Sequence, residues 1–387
     1  MTARSLVAAD AAVLVARVPN DGIKPSACVD GDGTLHLVYF KGPAAGGDAY
    51  YVNTKDGGTS FSAPIRVNSQ DGSVLGVSSI RGPQLACGRG GIVHVVWNGS
   101  NNALPKGPLN PGMPSDSKAN GAPLLYTRFD PAQQHFEPQR NLLQQSCSLD
   151  GGSAVAADAN GGVNVVWHAE PKSGGDESTR VIWMATSRDD GAHFAEERNI
   201  LPGTAGVCGC CSLAVRAGTG GTIAILARAA NEGGGQRPMN LLLSVDGGSA
   251  FIRRALDEWP LNACPMSSAS IATTERGFAI AWEGKNKVEA ARFDLAAART
   301  ESKSFLSLVR TSSGKALKYP VVAVNRAGDL LFAWTIGMGW SSGGSMAWEL
   351  YHPGDDTPVA KGAQDGVPAS DCLAAVALPD GRFLVVY

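Results

Sequence analysis

The sequence predicts an all-β, seven-bladed β-propeller forming one domain over residues 1–387. Three observations predict it. A hairpin unit recurs seven times, a second turn pattern sits at one place in three of those units, and the chain holds 48 Gly and 22 Pro with only 18% charged residues. Short apolar runs punctuated by Gly, Asp and Pro are strands joined by turns. A long-period repeat of such units builds a ring, and four strands per unit make it a propeller. Six blades with decorations is the alternative.

Bulk properties exclude some partners. The net charge of −2 supports no bulk attraction to nucleic acid or to an anionic membrane surface. The longest apolar runs are too short to span a bilayer. A monomer is expected. Residues 1–17 carry Arg4, Asp10 and Arg17 and lack the apolar core of a signal peptide, so any leader is expected to lie outside this stretch.

The hairpin unit reads Pro or a polar residue, a short strand, a Gly/Asp/Asn turn, then an apolar strand often ending in an aromatic. It occupies residues 25–40, 83–97, 153–167, 212–228, 268–282, 320–334 and 372–387. Between units lies a second hairpin. In three repeats its turn has one pattern: Thr54-Lys55-Asp56-Gly57-Gly58 before Phe61, Ser187-Arg188-Asp189-Asp190-Gly191 before Phe194, and Ser244-Val245-Asp246-Gly247-Gly248 before Phe251. The Asp caps backbone N–H groups, Gly supplies positive φ, and the aromatic plugs the gap between sheets. The last unit stops after its second strand. Residues 6–9 and 12–18 read as two strands without a hairpin of their own, and donating them to the last unit closes the ring and removes two sheet edges.

In a propeller the first strand of each blade lines the channel, and residues before it share a rim with residues after the second strand. Insertions at 98–122, 169–180, 229–237 and 336–345 fall on that rim, which marks it as the binding face. Aligned on the turn glycines, Lys24, Arg81, Cys211, Ser267, Lys318 and Asp371 reach the channel mouth, with Asn98, His168, Glu170, Arg228 and Glu283 following second strands. The candidate ligand-binding set is Lys24, Arg81, His168, Arg228, Glu283, Lys318 and Asp371. Its cations favour a carboxylate or other anion, and the alternative for Arg81 is a pair with an acidic residue of the next blade. Trp97, Trp282 and Trp340 are candidate sugar-stacking platforms. Trp97, Trp167, Trp282 and Trp334 recur at one repeat position, which instead fits blade core.

Eight cysteines fit disulfides, free thiols or a thiolate metal site. Cys28 and Cys87 fall inside apolar strands and read as small buried thiols. Cys147, Cys208, Cys210, Cys211, Cys264 and Cys372 precede or begin channel-lining strands. The leading expectation is a disulfide from Cys208, Cys210 or Cys211 to Cys264 of the adjacent blade, with no cofactor and a periplasmic or secreted home. Copper or zinc at the Cys208–Cys211 cluster is the alternative, although its spacing is not that of paired CxxC zinc sites.

The three Asp turns resemble the Asp-boxes of sialidases and other BNR-repeat propellers. Val207-Cys208-Gly209-Cys210-Cys211-Ser212, Arg228 and the stretch from Trp259 to Cys264-Pro265 resemble a group of bacterial sialidase-like propellers. This resemblance implies a glycan-directed protein that binds, and in true sialidases hydrolyses, its ligand with an arginine triad, a tyrosine nucleophile paired with glutamate, and an aspartate acid/base. Ile80-Arg81-Gly82-Pro83 is similar to the Arg-Ile-Pro signature, and Arg81 and Arg228 match triad members by position. No third arginine and no tyrosine in a matching motif stand out, although Tyr319 lies near the mouth, and the family has six blades. No catalytic residue is therefore assigned. A non-catalytic interaction scaffold is the other reading, since fold does not fix function.

Overall fold

The computed structural model describes residues 12–387 apart from 115, 118, 202–205, 231–234, 300–304 and 340. Seven sheets form the ring. The first blade is built from Ile23–Val29, Leu35–Lys41, Asp48–Thr54 and Ile65–Arg66, each antiparallel to the next. The inner strands of the following blades are Gln84–Cys87, Ala154–Ala157, Ala214–Ala217, Ala269–Thr274, Leu317–Val324 and Ala374–Ala377. Each packs beside its predecessor, and the seventh returns to the first.

The chain ends close the ring as the sequence predicts. Val13–Ala16 pairs in parallel with Phe383–Val386, in a register that sets Val13 against Phe383. The second expected strand, residues 6–9, lies outside the described residues.

The core is seven wedges, each shared by two blades. One unites Val38, Tyr51, Leu85 and Trp97 of blades one and two; another unites Leu35, Val52, Val376 and Leu384 of blades one and seven. Alternation makes this inevitable, because each strand sends successive side chains to opposite faces and both faces meet a neighbour. Trp97, Trp167 and Trp282 are almost wholly buried and Trp334 nearly so. They are core, and Trp97 and Trp282 cannot act as stacking platforms; Trp340 lies outside the described residues.

The three Asp turns share one geometry. Asp56 Oδ1 accepts N–H bonds from Thr59 at 2.9 Å and Ser60 at 3.1 Å, and the Thr54 hydroxyl at 2.6 Å. Asp189 and Asp246 accept matching bonds from the His193 and Ala250 N–H groups. Phe61, Phe194 and Phe251 each pack into the wedge shared with the preceding blade.

Cys28 and Cys87 form a disulfide with Cα atoms 6.0 Å apart. This corrects the expectation of two buried thiols. The two cysteines occupy adjacent inner strands, and neighbouring strands at the channel wall bring Cα atoms into disulfide range, a proximity no single repeat reveals.

Two stability predictions follow from closure. Cys28→Ala/Cys87→Ala destabilises the protein by about 2–4 kcal/mol, read as a lower urea midpoint. Deleting residues 1–17 leaves Phe383–Val386 paired only with Ala374–Ala377 and frees its other edge, which lowers the thermal midpoint further than the disulfide variant does; an unchanged midpoint would show that the N-terminal strand does not hold the ring.

Candidate functional site

The inner strands of all seven blades line a central channel of ≈160 Å³. At one end, the starts of these strands and the segments leading into them carry an unusual backbone feature. Lys24, Ser78, Ser148, Met266, Tyr319 and Ser370 have φ between 49° and 60°, one residue in each of blades one, two, three, five, six and seven. Left-handed non-glycine residues cost about 1–3 kcal/mol each and gather where function constrains the chain. In blade four the corresponding segment is the Cys208–Cys211 turn.

The predicted ligand-binding residues all lie at this end, and each spans a junction between blades. Lys24 is buried. Its Nζ donates to the Ser78 carbonyl at 2.6 Å and to the Ser370 carbonyl, and its backbone N–H donates to Asp371 Oδ1 at 2.6 Å. Arg81 donates to the backbone carbonyl and the carboxylate of Asp150, so the pair with the next blade is what forms. His168 Nε2 donates to the Cys211 carbonyl at 2.8 Å, and Nδ1 has no partner. Arg228, buried, donates through Nε to Ser267 Oγ at 2.7 Å, through Nη1 to the Arg237 carbonyl at 2.6 Å and through Nη2 to the Glu283 carbonyl, and its guanidinium lies 4.5 Å from the Trp259 ring centroid. Glu283 Oε1 accepts the Ser268 and Tyr319 N–H groups, both at 3.0 Å, and its Oε2 pairs with Lys318 Nζ at 3.1 Å. Lys318 Nζ also donates to the Pro265 carbonyl at 2.9 Å.

The set is therefore a girdle of polar clasps. It joins blades seven to one, one to two, two to three, three to four, four to five and five to six. Its cations already donate to carbonyls and carboxylates, and an arriving anion would have to displace those partners. This departs from the expected cationic anion site, because the inner strands converge so closely that rim cations meet the neighbouring blade's carbonyls before they meet solvent.

Beside the girdle, a cavity of ≈110 Å³ opens between blades five, six and seven and the segment entering blade two. Cys264, Met266, Lys318, Tyr319 and Met338 line it, and Ser79 and Tyr319 are shared with the channel wall. Two larger hollows of ≈790 and ≈830 Å³ lie among the hairpin turns at 158–162, 217–222, 273–278 and 325–328, at the other ends of the strands.

The cysteines divide. Cys208, Cys210 and Cys211 come together, with Cys208 Sγ 3.5 Å from Cys210 Sγ and 3.2 Å from Cys211 Sγ. Cys264 is exposed and free, which corrects the expected bridge to blade five. The backbone carries it to the cavity, and the three clustered sulfurs face one another instead. Cys147 donates to the Pro171 carbonyl at 3.4 Å, and Cys372 lines the channel. Sequence reasoning missed Arg237, whose Nη1 lies 3.2 Å from Cys208 Sγ while the guanidinium pairs with Glu177; its signal was only its place in the 229–237 insertion.

Burial sets the electrostatics. It lowers His168 to about 4, with Arg180 adding to the effect, so the ring is neutral. It raises the Asp371 carboxyl to about 6 against N–H bonds from Lys24 and Cys372, and lowers Lys24 to about 8 against Cys372 and Asp371. Around Cys211 burial opposes charge, but bonds from Cys208 and Cys210, the Arg228 guanidinium and Ser267 outweigh it and hold this thiol well below its ordinary range.

The sequence matches no family model and no curated protein. Among solved structures, a protein of unknown function from Dyadobacter fermentans superposes with a TM-score of 0.56 at 14% identity, over 88% of this chain and 97% of that one. An α-L-arabinofuranosidase from Fusarium graminearum gives 0.53 at 10% identity, over 91% and 94%. A Trypanosoma rangeli sialidase gives 0.51 at 13% identity, over 84% of this chain and 54% of that chain. The chain shares the β-propeller fold with these structures.

The shifted pair makes a pH prediction. Asp371, raised from 3.8, contributes stability that is fully present below pH 3.8 and lost as pH rises through about 6. Lys24, lowered from 10.5, contributes stability present above pH 10.5 and lost as pH falls through about 8. Thermal midpoints measured across pH show the outcome: relative to the native protein, Asp371→Asn removes the decline in the acidic window and Lys24→Met removes the rise in the basic one. Parallel curves for native and variant proteins in both windows would overturn these assignments.

Proposed function

We propose that this propeller binds a neutral glycan at the channel mouth, in the cavity between blades five, six and seven. One observation carries the reading: the rim cations Lys24, Arg81, Arg228 and Lys318 are all engaged within the protein, while the adjoining cavity presents Tyr319, two methionines and backbone and serine polar groups beside a Lys318 ammonium already paired with Glu283. Aromatic and apolar surface with a few placed polar groups suits a sugar ring. The fold shared with an arabinofuranosidase and a sialidase supports a carbohydrate over other neutral ligands. Three Asp turns of one geometry support kinship with Asp-box propellers.

Binding is favoured over hydrolysis. Glycosidic cleavage needs two carboxyl groups on either side of the scissile bond or, in sialidases, a tyrosine nucleophile served by a glutamate together with an aspartate acid/base. At this mouth Glu283 is held by two N–H groups and Lys318, and Asp371 is fully buried. A periplasmic or secreted location accords with the Cys28–Cys87 disulfide.

Cys264 provides the test, being exposed and part of the cavity wall. Calorimetric titration with neutral arabino-oligosaccharides is expected to show binding that a bulky maleimide on Cys264 abolishes, while Cys264→Ala binds and is indifferent to the reagent. A preference for sialyllactose, or neutral-sugar binding that survives labelling of Cys264, would overturn the proposal.

A further inference from the structure

We propose that Cys208, Cys210 and Cys211 form a three-coordinate thiolate site for a soft monovalent metal ion, Cu(I). The three Sγ atoms lie within 4.8 Å of one another. A triangle with sides of 3.2 and 3.5 Å and a third side of up to 4.8 Å has its centre no more than about 2.4 Å from each corner. That is the length of a metal–thiolate bond, about 2.3 Å for zinc. The sulfurs are arranged so that one ion can touch all three with little movement.

The backbone holds this arrangement. Cys208 N–H donates to the Arg228 carbonyl at 2.9 Å, and a turn brings Cys211 N–H to the Cys208 carbonyl at 3.4 Å. Gly209, between the first two ligands, has Asp150 and Arg180 so close that a Cβ would lie 3.0 Å from Asp150 Oδ2 and 3.1 Å from Arg180 Nε. Cys208 and Cys211 are buried, and with Cys210 and Ala230 they form a small cluster of their own, apart from the seven wedges.

Hydrogen-bond donors behind the sulfurs address them. Arg237 Nη1 is 3.2 Å from Cys208 Sγ, and the Ser267 hydroxyl donates to Cys211 Sγ at 3.2 Å while accepting from Arg228 Nε. Such donors orient ligands and stabilise their negative charge. Three thiolates around a monovalent ion leave two negative charges, and beside them stand the guanidinium of Arg228 and that of Arg237, which also pairs with Glu177.

Ligand chemistry selects the metal. Thiolate-only donor sets favour Cu(I), whereas zinc takes four ligands or keeps a water in the fourth position. Among the described residues no histidine or carboxylate joins the three sulfurs, and burial of Cys208 and Cys211 disfavours a bound water. Three adjacent thiols in a protein that also carries a disulfide are prone to oxidise, and metal ligation protects them. The site does not depend on glycan binding.

The test uses the full reduced chain, titrated without oxygen with Cu(I)–acetonitrile against bathocuproine disulfonate. The expected result is one copper withheld per chain, with three sulfur neighbours in X-ray absorption. Cys208→Ser, Cys210→Ser and Cys211→Ser each release it to the competitor, with folding checked by circular dichroism. Cys147→Ser, Cys264→Ser and Cys372→Ser keep it. Arg237→Met, which leaves every ligand in place, weakens retention by about 10–100-fold. No copper retained by the native chain, retention unchanged in the three cluster variants, or one zinc held in preference under the same competition would overturn the proposal.

Discussion

A blade of this protein cannot bury both of its faces alone. Every strand sends side chains to two sides, so each sheet needs a neighbour on each side, and only a closed ring provides one for every sheet. The pairing of Val13–Ala16 with Phe383–Val386 is thus the contact on which the other wedges depend. The Cys28–Cys87 bridge adds a covalent tie between the first two inner strands.

The same closure shapes the rim. Seven inner strands converge on a narrow channel, and their leading segments crowd at one end. Backbone carbonyls there need donors that no β-ladder supplies. Lys24, Arg228 and Lys318 donate to them, and so become structural clasps instead of free ligand-binding charges. Six left-handed residues at the same end show that the crowding carries a conformational cost. A strained rim of engaged cations beside a small cavity is what remains for a ligand.

Blade four solves the same problem differently. Where the other blades place a left-handed residue, it places a tight turn whose cysteines face one another, and Arg228 and Ser267 tie that turn to blade five. The girdle and the sulfur cluster therefore share a hydrogen-bond chain from Glu283 through Arg228 and Ser267 to Cys211. The chain ends at the backbone carbonyl of Glu283, whose carboxylate also holds Lys318 and the Tyr319 N–H.

The repeat, the blade count, the Asp turns and the closing strand were all legible in the chain, because each follows from local patterning: period-two alternation, Gly and Asp at turns, a missing pair of strands at one end and a spare pair at the other. The end of the channel to which Arg81, His168 and Glu283 belong was legible too, since repeat register places them. Their partners were not. Whether Arg81 meets a ligand or Asp150, whether Cys28 is a thiol or half of a bridge, and whether Cys210 faces Cys264 or Cys208 depend on distances between residues of different blades or on the path of one turn. The sequence by itself determined a propeller ring and which residues share one of its rims; only the tertiary structure decided which charges and sulfurs are spoken for, because proximity across blade junctions arises only when the ring is closed.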